Sequence, residues 1–229
     1  MTSRGDWLFQ WKLPSRGRDV ALNHAVEFMR LTLNYEGPLH AASAGNTRAD
    51  EKHNIRKVFH AQLAELWATA PHLNSLVSRF LNPDQHPYSA SHPVYTSTIG
   101  QFSFLPLVTE RLAAICELDI LFLRRQPIGK LVFNQGGDID NRIKVLFDAL
   151  RMPTQEKEIP PTAAPDETER PFFYSLLEDD GLITSFRVES ERLLGPVEPD
   201  SAANVKLVVR ATIKVHKLTY WNMGLGETI

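Results

Sequence analysis

The segment from Gly137 to Lys144 brings together residue types that suit metal-ion and phosphate chemistry. Asp138 and Asp140 are one residue apart, and side chains at i and i+2 of an extended segment lie on the same face. Carboxylate oxygens are ligands that Mg²⁺ prefers. Lys144 follows Asp140 by about one helical turn and is placed to contact a phosphate group. The pattern therefore favours metal-assisted phosphodiester hydrolysis.

A second acidic pair, Asp179 and Asp180, follows at the head of a later predicted strand. Each acidic motif also has an ordinary structural interpretation. Asp138 and Asp140 suit a turn or an N-cap, and Asp179-Asp180-Gly181 suits a turn. The order of the parts along the chain, rather than either pair alone, favours a metal site.

Hydrophobic periodicity predicts an α/β (α+β) fold in which helices pack on a small mixed sheet. The predicted strands are residues 7–13, 115–123, 130–134, 183–188 and 205–215, and the last two are expected to form an antiparallel hairpin. The predicted helices are residues 19–33, 51–68 with Asp50 as N-cap, 73–81 and 141–150. Residues 34–49 and 82–99 are expected to be irregular.

The chain length of 229 residues predicts one domain with decorations. Residues 69–113 are interpreted as an extra helical and irregular elaboration. Residues 153–171 contain five prolines and many charges, a composition that cannot bury enough apolar area to order itself independently. We interpret this segment as a flexible insertion beside the acidic motifs.

Composition excludes several classes of protein. The single cysteine, Cys116, rules out an intramolecular disulfide and a multi-cysteine zinc site, and its apolar neighbours predict a buried thiol. No apolar run is long enough for a transmembrane helix, and the N-terminus lacks the features of a secretory signal. The histidines, including His53 and His60, are interpreted as surface residues.

The formal net charge of −2 is unusual for a protein that acts on nucleic acid. Residues 155–180 contain eight acidic and two basic side chains, a local charge of −6, so the rest of the chain carries +4. Two groups of basic residues are candidate DNA contacts, with a solvated surface as the alternative: Arg124, Arg125 and Lys130 ahead of the acidic motif, and Lys206, Arg210 and Lys214 on one face of the last strand.

The arrangement resembles the RusA family of Holliday-junction resolvases, and the resemblance covers roughly half of the chain. It lies in the order of the parts: a first strand ending in Leu13-Pro14, a helix over 51–68, a strand over 115–123, the Asp-x-Asp-Asn-x-x-Lys string of 138–144, the Asp179-Asp180 pair and a hairpin over 183–215. The 153–171 insertion, the longer 69–113 region and the acidic net charge depart from the family pattern.

The resemblance implies a homodimeric, magnesium-dependent endonuclease that cuts four-way DNA junctions in recombination and repair, with Mn²⁺ as an alternative ion. It implies a cytoplasmic location, in a bacterial or phage setting, and no membrane partner. It assigns the metal to Asp138, Asp140 and Asp180, support to Asp179, ligand or backbone contact to Asn141, the scissile phosphate to Lys144, and DNA contact to Arg142 and Lys144.

Two other functions stay open on the sequence alone. One is a RusA-like module that binds nucleic acid or a protein partner with weak or no nuclease activity, which the acidic charge and the 153–171 insertion favour. The other is a metal-dependent nuclease for flaps, replication forks or RNA. Magnesium-dependent cleavage and competition among labelled substrates distinguish the three functions.

Overall fold

The computed structural model describes residues 26–42, 48–81, 96–125, 139–194, 203–219 and 222. The predicted strands 7–13 and 130–134 lie outside these residues, and so do two candidate site residues, Asp138 and Lys130. Among the described residues, no helix combines the length and the apolar character needed to cross a membrane.

The described residues form a mixed structure of strands and three α-helices, which confirms the α/β (α+β) class. The helices are α1 (Ala49–Thr69), α2 (Pro71–Leu81) and α3 (Ile139–Leu150). The strands are β1 (Val26–Pro38), β2 (Ser97–Ile99), β3 (Phe102–Val108), β4 (Ala114–Arg124), β5 (Phe173–Leu177), β6 (Ile183–Arg192) and β7 (Asn204–Val215).

The larger sheet has four strands in the order β1-β7-β4-β6. β7 pairs antiparallel with β1 on one side and with β4 on the other, whereas β6 pairs parallel with β4. Burial alternates along β4 and β7, so one face of the sheet is directed into the core. Apolar side chains of α1 and α3 belong to that same core and cover this face.

The smaller sheet has the order β2-β3-β5, with β3 and β5 parallel. Its aromatic side chains form a second apolar cluster with two residues that follow α3, the members being Phe102, Phe104, Phe173, Met152 and Ile159. An isolated parallel bridge between Arg151 and Leu177 joins the end of α3 to the end of β5. The smaller sheet is thereby attached to the C-terminal end of α3.

The predicted helix over residues 19–33 is wrong in its described part, because Val26–Pro38 forms strand β1. Residues 34–38, predicted to be irregular, continue the same strand. Burial recurs at Met29, Leu33 and Tyr35 with exposed residues between them, which is the period of a strand. Pairing with β7 extends over the whole strand, and this tertiary contact outweighs a weak local helical spacing.

The predicted hairpin of residues 183–188 with 205–215 is also wrong, because β4 lies between β6 and β7. Both strands are present at the predicted places, and so is the strand predicted over 115–123. β4 is the more apolar strand and has hydrogen-bonded neighbours on both edges. β6 carries mostly exposed side chains and therefore suits the edge of the sheet.

The three predicted helices beyond residue 50 are confirmed, with shifted boundaries. Arg48, in the left-handed conformation, precedes α1, and Asp50 lies in the first turn instead of at the N-cap. An acidic side chain in the first turn is favourable because the helix dipole is positive there. Pro71 separates α1 from α2 and begins the second helix, a position that tolerates proline because the first amide has no helical partner.

Composition predicts a flexible insertion at residues 153–171, whereas the structure holds this segment against α1. Lys57 Nζ lies 2.7 Å from Glu169 Oε1, and the Glu169 side chain is buried. Arg56 Nη1 donates to the carbonyl oxygen of Glu158 at 3.0 Å. The segment has little apolar area of its own, so contacts with α1 supply the order that its composition does not.

His53 and His60, interpreted as surface residues, are both buried, and their rings pack against Phe173. His60 is bonded on both sides, since its Nδ1 accepts from Tyr174 N at 2.8 Å and its Nε2 lies 3.1 Å from Thr168 O. Among the described residues, the ring nitrogens of His53 have no hydrogen-bond partner. Burial, more than the nearby cations, lowers the pKa of His53 to about 4.

Candidate active site

The N-terminus of α3 lies at the end of the larger sheet where β4 finishes. Asn141 O accepts a hydrogen bond from Ala42 N at 3.1 Å, and Ala42 lies four residues after the end of β1. In the same part of the sheet, Pro38 of β1 and Arg124 of β4 lie on either side of the start of β7. We call this region the α3 end. It consists of the beginning of α3 and the end of β4.

Three predicted site residues, Asp140, Asn141 and Lys144, occupy the first turns of α3. Asp140 Oδ1 accepts from Asn141 N at 2.8 Å, and Asp140 Oδ2 lies 3.8 Å from Lys144 Nζ. The Asp140 and Lys144 side chains are 59% and 66% exposed. A carboxylate and an ammonium group are therefore presented to solvent beside a positive helix terminus, where a phosphate can approach both.

Two predicted DNA-contact residues at the α3 end, Arg124 and Arg142, are buried instead of exposed. Burial lowers the pKa of both guanidinium groups, and the positive charge of Arg124 lowers the pKa of Arg142 further. The effect of Arg124 on the pKa of Arg142 indicates that the two guanidinium groups share the α3 end.

Asp179 and Asp180 lie at the other end of the larger sheet. They directly precede β6, whose first residue, Ile183, pairs with Cys116 near the beginning of β4. Asp179 Oδ1 accepts from Gly181 N at 2.8 Å and thereby caps the 3-10 turn formed by residues 180–182. We call this region the β6 end. Asp179-Asp180-Gly181 therefore forms the turn that is the ordinary structural interpretation of this motif.

The length of α3 separates Asp140 from Asp180. Met152, just beyond the helix, donates its backbone amide to Leu177 O at 2.9 Å, so the C-terminal end of α3 faces the segment that leads into Asp180. At a rise of 1.5 Å per residue, Asp140 is about 15 Å from that end of the helix. Asp140 therefore lies at the N-terminal end of α3, and the segment that leads into Asp180 lies at its C-terminal end.

Among the described residues, no group of three or more His, Cys, Asp or Glu is arranged to hold a metal ion. Asp140 supplies one exposed carboxylate, and its predicted partner Asp138 lies outside the described residues. The described part of the chain therefore does not by itself form the three-carboxylate magnesium centre that the RusA resemblance implies.

The basic residues of β7 share one face of the strand, as predicted, and each of them meets an acidic side chain. The nitrogen–oxygen distances are 3.7 Å for Lys206–Glu36, 3.7 Å for Arg210–Asp119 and 2.6 Å for Lys214–Glu117. Cross-strand pairs of this kind neutralise the stripe, which favours a solvent face over a DNA contact. Arg125 follows β4 and is exposed at the α3 end.

Sequence reasoning missed the residues that hold the chain beside the start of α3. His40 donates its backbone amide to Glu51 Oε1 at 2.6 Å, and its Nδ1 lies 2.9 Å from Glu51 Oε2. Arg48 Nη1 lies 3.4 Å from the same carboxylate oxygen. These contacts join a loop to α1 over eleven positions, and no local pattern in the sequence indicates such a pairing.

No family model matches the chain, and the comparisons with curated proteins and with solved structures give no match either. The residues and their geometry therefore carry the functional interpretation.

Proposed function

We propose that this chain is a RusA-like, magnesium-dependent endonuclease that cuts branched DNA such as four-way junctions, with the scissile phosphate bound at the α3 end. The observation that carries the proposal is the exposed Asp140–Lys144 pair on the first turns of α3. An anionic phosphate is favoured at this position by the helix terminus and by the ammonium group together.

The side chains at the α3 end have separate tasks in this proposal. Lys144 Nζ stabilises the negative charge that develops on the non-bridging phosphate oxygens during cleavage. Asp140 Oδ2, 3.8 Å away, orients that ammonium group, and the carboxylates of Asp140 and Asp138 would supply hard oxygen ligands for Mg²⁺. Asn141 offers an amide to the DNA backbone. Asp180 has no contact with the reacting phosphate of the same chain, because it lies at the β6 end.

The decisive experiment is cleavage of a labelled four-way junction, with duplex and single-stranded DNA as controls, in Mg²⁺, in Mn²⁺ and in chelator. Wild-type protein is expected to make symmetric, metal-dependent cuts, and Asp140→Asn is expected to lower the rate by about a hundredfold or more. Asp119→Asn is the matched control, since Asp119 is a partly exposed aspartate of β4 paired with Arg210. Equal activity of wild type and Asp140→Asn would refute the proposal.

A homodimer and a cytoplasmic location form part of the same proposal. Two symmetric cuts in a junction require two copies of the site, which a twofold dimer supplies. Light scattering at the concentration of the cleavage assay is expected to give twice the chain mass of 25.9 kDa. A monomer that still cuts both strands would separate the nuclease activity from the resolvase mechanism.

A second candidate function is a RusA-like module that binds branched nucleic acid without cutting it. The separation of Asp180 from Asp140 and the use of Asp179 as a cap favour this candidate. Its signature is junction binding in an anisotropy assay with no cleavage of junctions, flaps, forks or RNA in either metal ion. Any robust metal-dependent turnover excludes it.

A further inference from the structure

The two edge strands of the larger sheet, β1 and β6, differ in how their outer backbone groups are used. At the edge of β1, Asn34 N donates to Gln62 Oε1 at 2.8 Å, and Gln62 Nε2 donates to Asn34 O at 2.8 Å. In the described part of the chain, β6 pairs with β4 on one side and has no strand on its other side. Such an edge offers N–H and C=O groups to a further strand.

The pairing of β6 with β4 identifies the backbone groups that β6 directs outwards. Leu193 N donates to Arg124 O at 2.8 Å, so the backbone of Leu193 faces β4. Because this direction alternates along a strand, the outward groups belong to Phe186, Val188 and Ser190. β6 contains neither proline nor lysine, two residues that commonly protect an edge from pairing. We call this row of outward groups the outer edge of β6.

An exposed aromatic side chain lies at this outer edge. Phe186 is 55% exposed, although it pairs with the buried Leu118 and therefore lies on the core face of the sheet. Its ring packs edge-on against Phe147 of α3, with the ring centroids 5.2 Å apart. Val188 lies on the same face and is partly buried against the core. Apolar surface beside an unpaired edge indicates contact with another protein surface.

Charged side chains on the opposite face of β6 indicate which partner fits. Arg187 and Glu189 are exposed and bonded to each other. If a second copy of β6 pairs antiparallel about a twofold axis at Val188, each Arg187 lies opposite Glu189 of the other copy. Opposite charges directly across two strands are favourable, and like charges are unfavourable. A twofold axis at Arg187, Glu189 or Ser190 would place like charges opposite each other.

We propose that the outer edge of β6 forms the interface of a twofold dimer, in which two copies of β6 pair antiparallel about Val188. This inference rests on the homodimer of the proposed function and names the surface that forms it. The outward backbone groups of the two Val188 residues bond to each other in this register. Phe186 lies opposite Ser190 of the other copy, and two four-stranded sheets become one continuous sheet.

Sedimentation equilibrium of the full chain, without DNA or metal ion, tests this interface by charge reversal. Arg187→Glu makes both positions acidic, and Glu189→Arg makes both positions basic. Each variant alone is expected to raise the dimer dissociation constant about tenfold or more, because two attractive pairs become repulsive. An equimolar mixture of the two variants is expected to recover the wild-type dissociation constant as a heterodimer, since each acid again faces a base.

Two further variants test the apolar contact and the specificity of the charge effect. Phe186→Ser is expected to weaken the dimer about tenfold, because it removes exposed apolar surface that the second copy covers. Lys206→Glu is the matched control. It reverses an exposed charge on the same face of the sheet, at a lysine of β7 paired with Glu36 of the other edge strand, and is expected to leave the dimer unchanged.

The outcomes for the interface and for the nuclease are separate. The proposal is overturned if the mixture of Arg187→Glu and Glu189→Arg dimerises no better than either variant alone. It is also overturned if both variants dimerise like the wild type, or if the wild type is a monomer, which would leave this edge to a strand of a different protein. A dimer that follows all of these expectations but cuts no DNA rejects the nuclease alone.

Discussion

The two ends of the larger sheet carry similar acidic motifs that are used in different ways. At the β6 end, the Asp179 carboxylate accepts a hydrogen bond from the backbone amide of Gly181, as turn-forming aspartates commonly do. At the α3 end, Asp140 Oδ2 lies 3.8 Å from Lys144 Nζ, and both side chains are exposed. Asp179 thus caps a turn, whereas Asp140 faces an ammonium group on its own helix.

The comparison shows that residue type and spacing identify candidate carboxylates but do not indicate which of them meet. Asp179 and Asp180 come after α3 in the chain and directly before β6. Because β6 is parallel to β4 and begins beside the beginning of β4, the two aspartates lie at the end of the sheet opposite to the start of α3. The order of motifs groups Asp140 with Asp180, whereas the sheet places these two residues at opposite ends.

The largest effect expected from this difference is a contrast between two aspartate variants in junction cleavage. Asp140→Asn is expected to lower the cleavage rate by about a hundredfold or more, because it removes a charge next to the scissile phosphate. Asp180→Asn is expected to keep nearly the wild-type rate, because Asp180 lies at the β6 end of the sheet. Single-turnover cleavage of a labelled junction measures both rates.

A hundredfold loss of cleavage rate in Asp180→Asn as well would contradict the proposed difference between the two ends. The β6 end of one chain would then act together with the α3 end of another chain, since α3 keeps them apart within a single chain. Mixing Asp140→Asn with Asp180→Asn protein distinguishes this outcome. Activity that returns on mixing requires a site shared between two chains, whereas no recovery assigns both residues to a site formed by one chain.

Local pattern predicted much of the framework but little of its assembly. The helices α1, α2 and α3 and the strands β4 and β7 have clear periodicity and lie close to their predicted places. The helix predicted over residues 19–33 overlaps β1, and the long-range pairing of this strand with β7 decides its conformation. The position of β4 between β6 and β7 likewise depends on contacts between distant segments, which a motif in one segment does not indicate.

The candidate site shows the same limit. Asp140 and Lys144 are four positions apart on one helix, so their proximity follows from helical geometry and was predictable. Arg124 and Arg142 are buried, and their sequence neighbours give no sign of it. The buried His53 is missed for the same reason, because its aromatic neighbours come from β3 and β5.

A second prediction separates loss of activity at the α3 end from loss of the fold that positions it. The pKa of His53 is lowered by burial from 6.5 to about 4, so the unfolded chain binds a proton there more readily than the folded chain does. Stability is therefore lost as the pH falls from about 6.5 towards 4, by about 2–3 kcal/mol at the lower value. His53→Phe is expected to remove most of this slope in the Tm.

His216→Phe is the control for the histidine experiment, since His216 is exposed after β7. It is expected to follow the wild-type pH profile of the Tm. His60, whose pKa is also lowered by burial, leaves a residual slope of the same sign in His53→Phe. A Tm profile of His53→Phe that coincides with the wild-type profile would contradict the prediction.

A third, smaller effect concerns the ammonium group at the α3 end. Lys144→Ala is expected to lower the cleavage rate about tenfold, or about 1.4 kcal/mol in transition-state stabilisation, since one exposed charge contributes less than a buried one. Lys144→Arg is expected to recover part of the rate. Lys206→Ala removes a similarly exposed lysine paired with Glu36 and is expected to leave cleavage unchanged. Equal losses in Lys144→Ala and Lys206→Ala would assign the effect to overall charge.

The smallest effect tests the structural use of the acid at the β6 end. Asp179→Ala removes the oxygen that accepts from Gly181 N at 2.8 Å and is expected to cost about 1 kcal/mol of unfolding free energy, with unchanged cleavage per folded molecule. Asp180→Ala is the adjacent control and is expected to keep wild-type stability, because Asp180 is exposed within the turn. Denaturant titration gives both free energies. If Asp179→Ala instead abolishes cleavage and keeps its stability, its carboxylate serves the reaction and the distinction between the two ends fails.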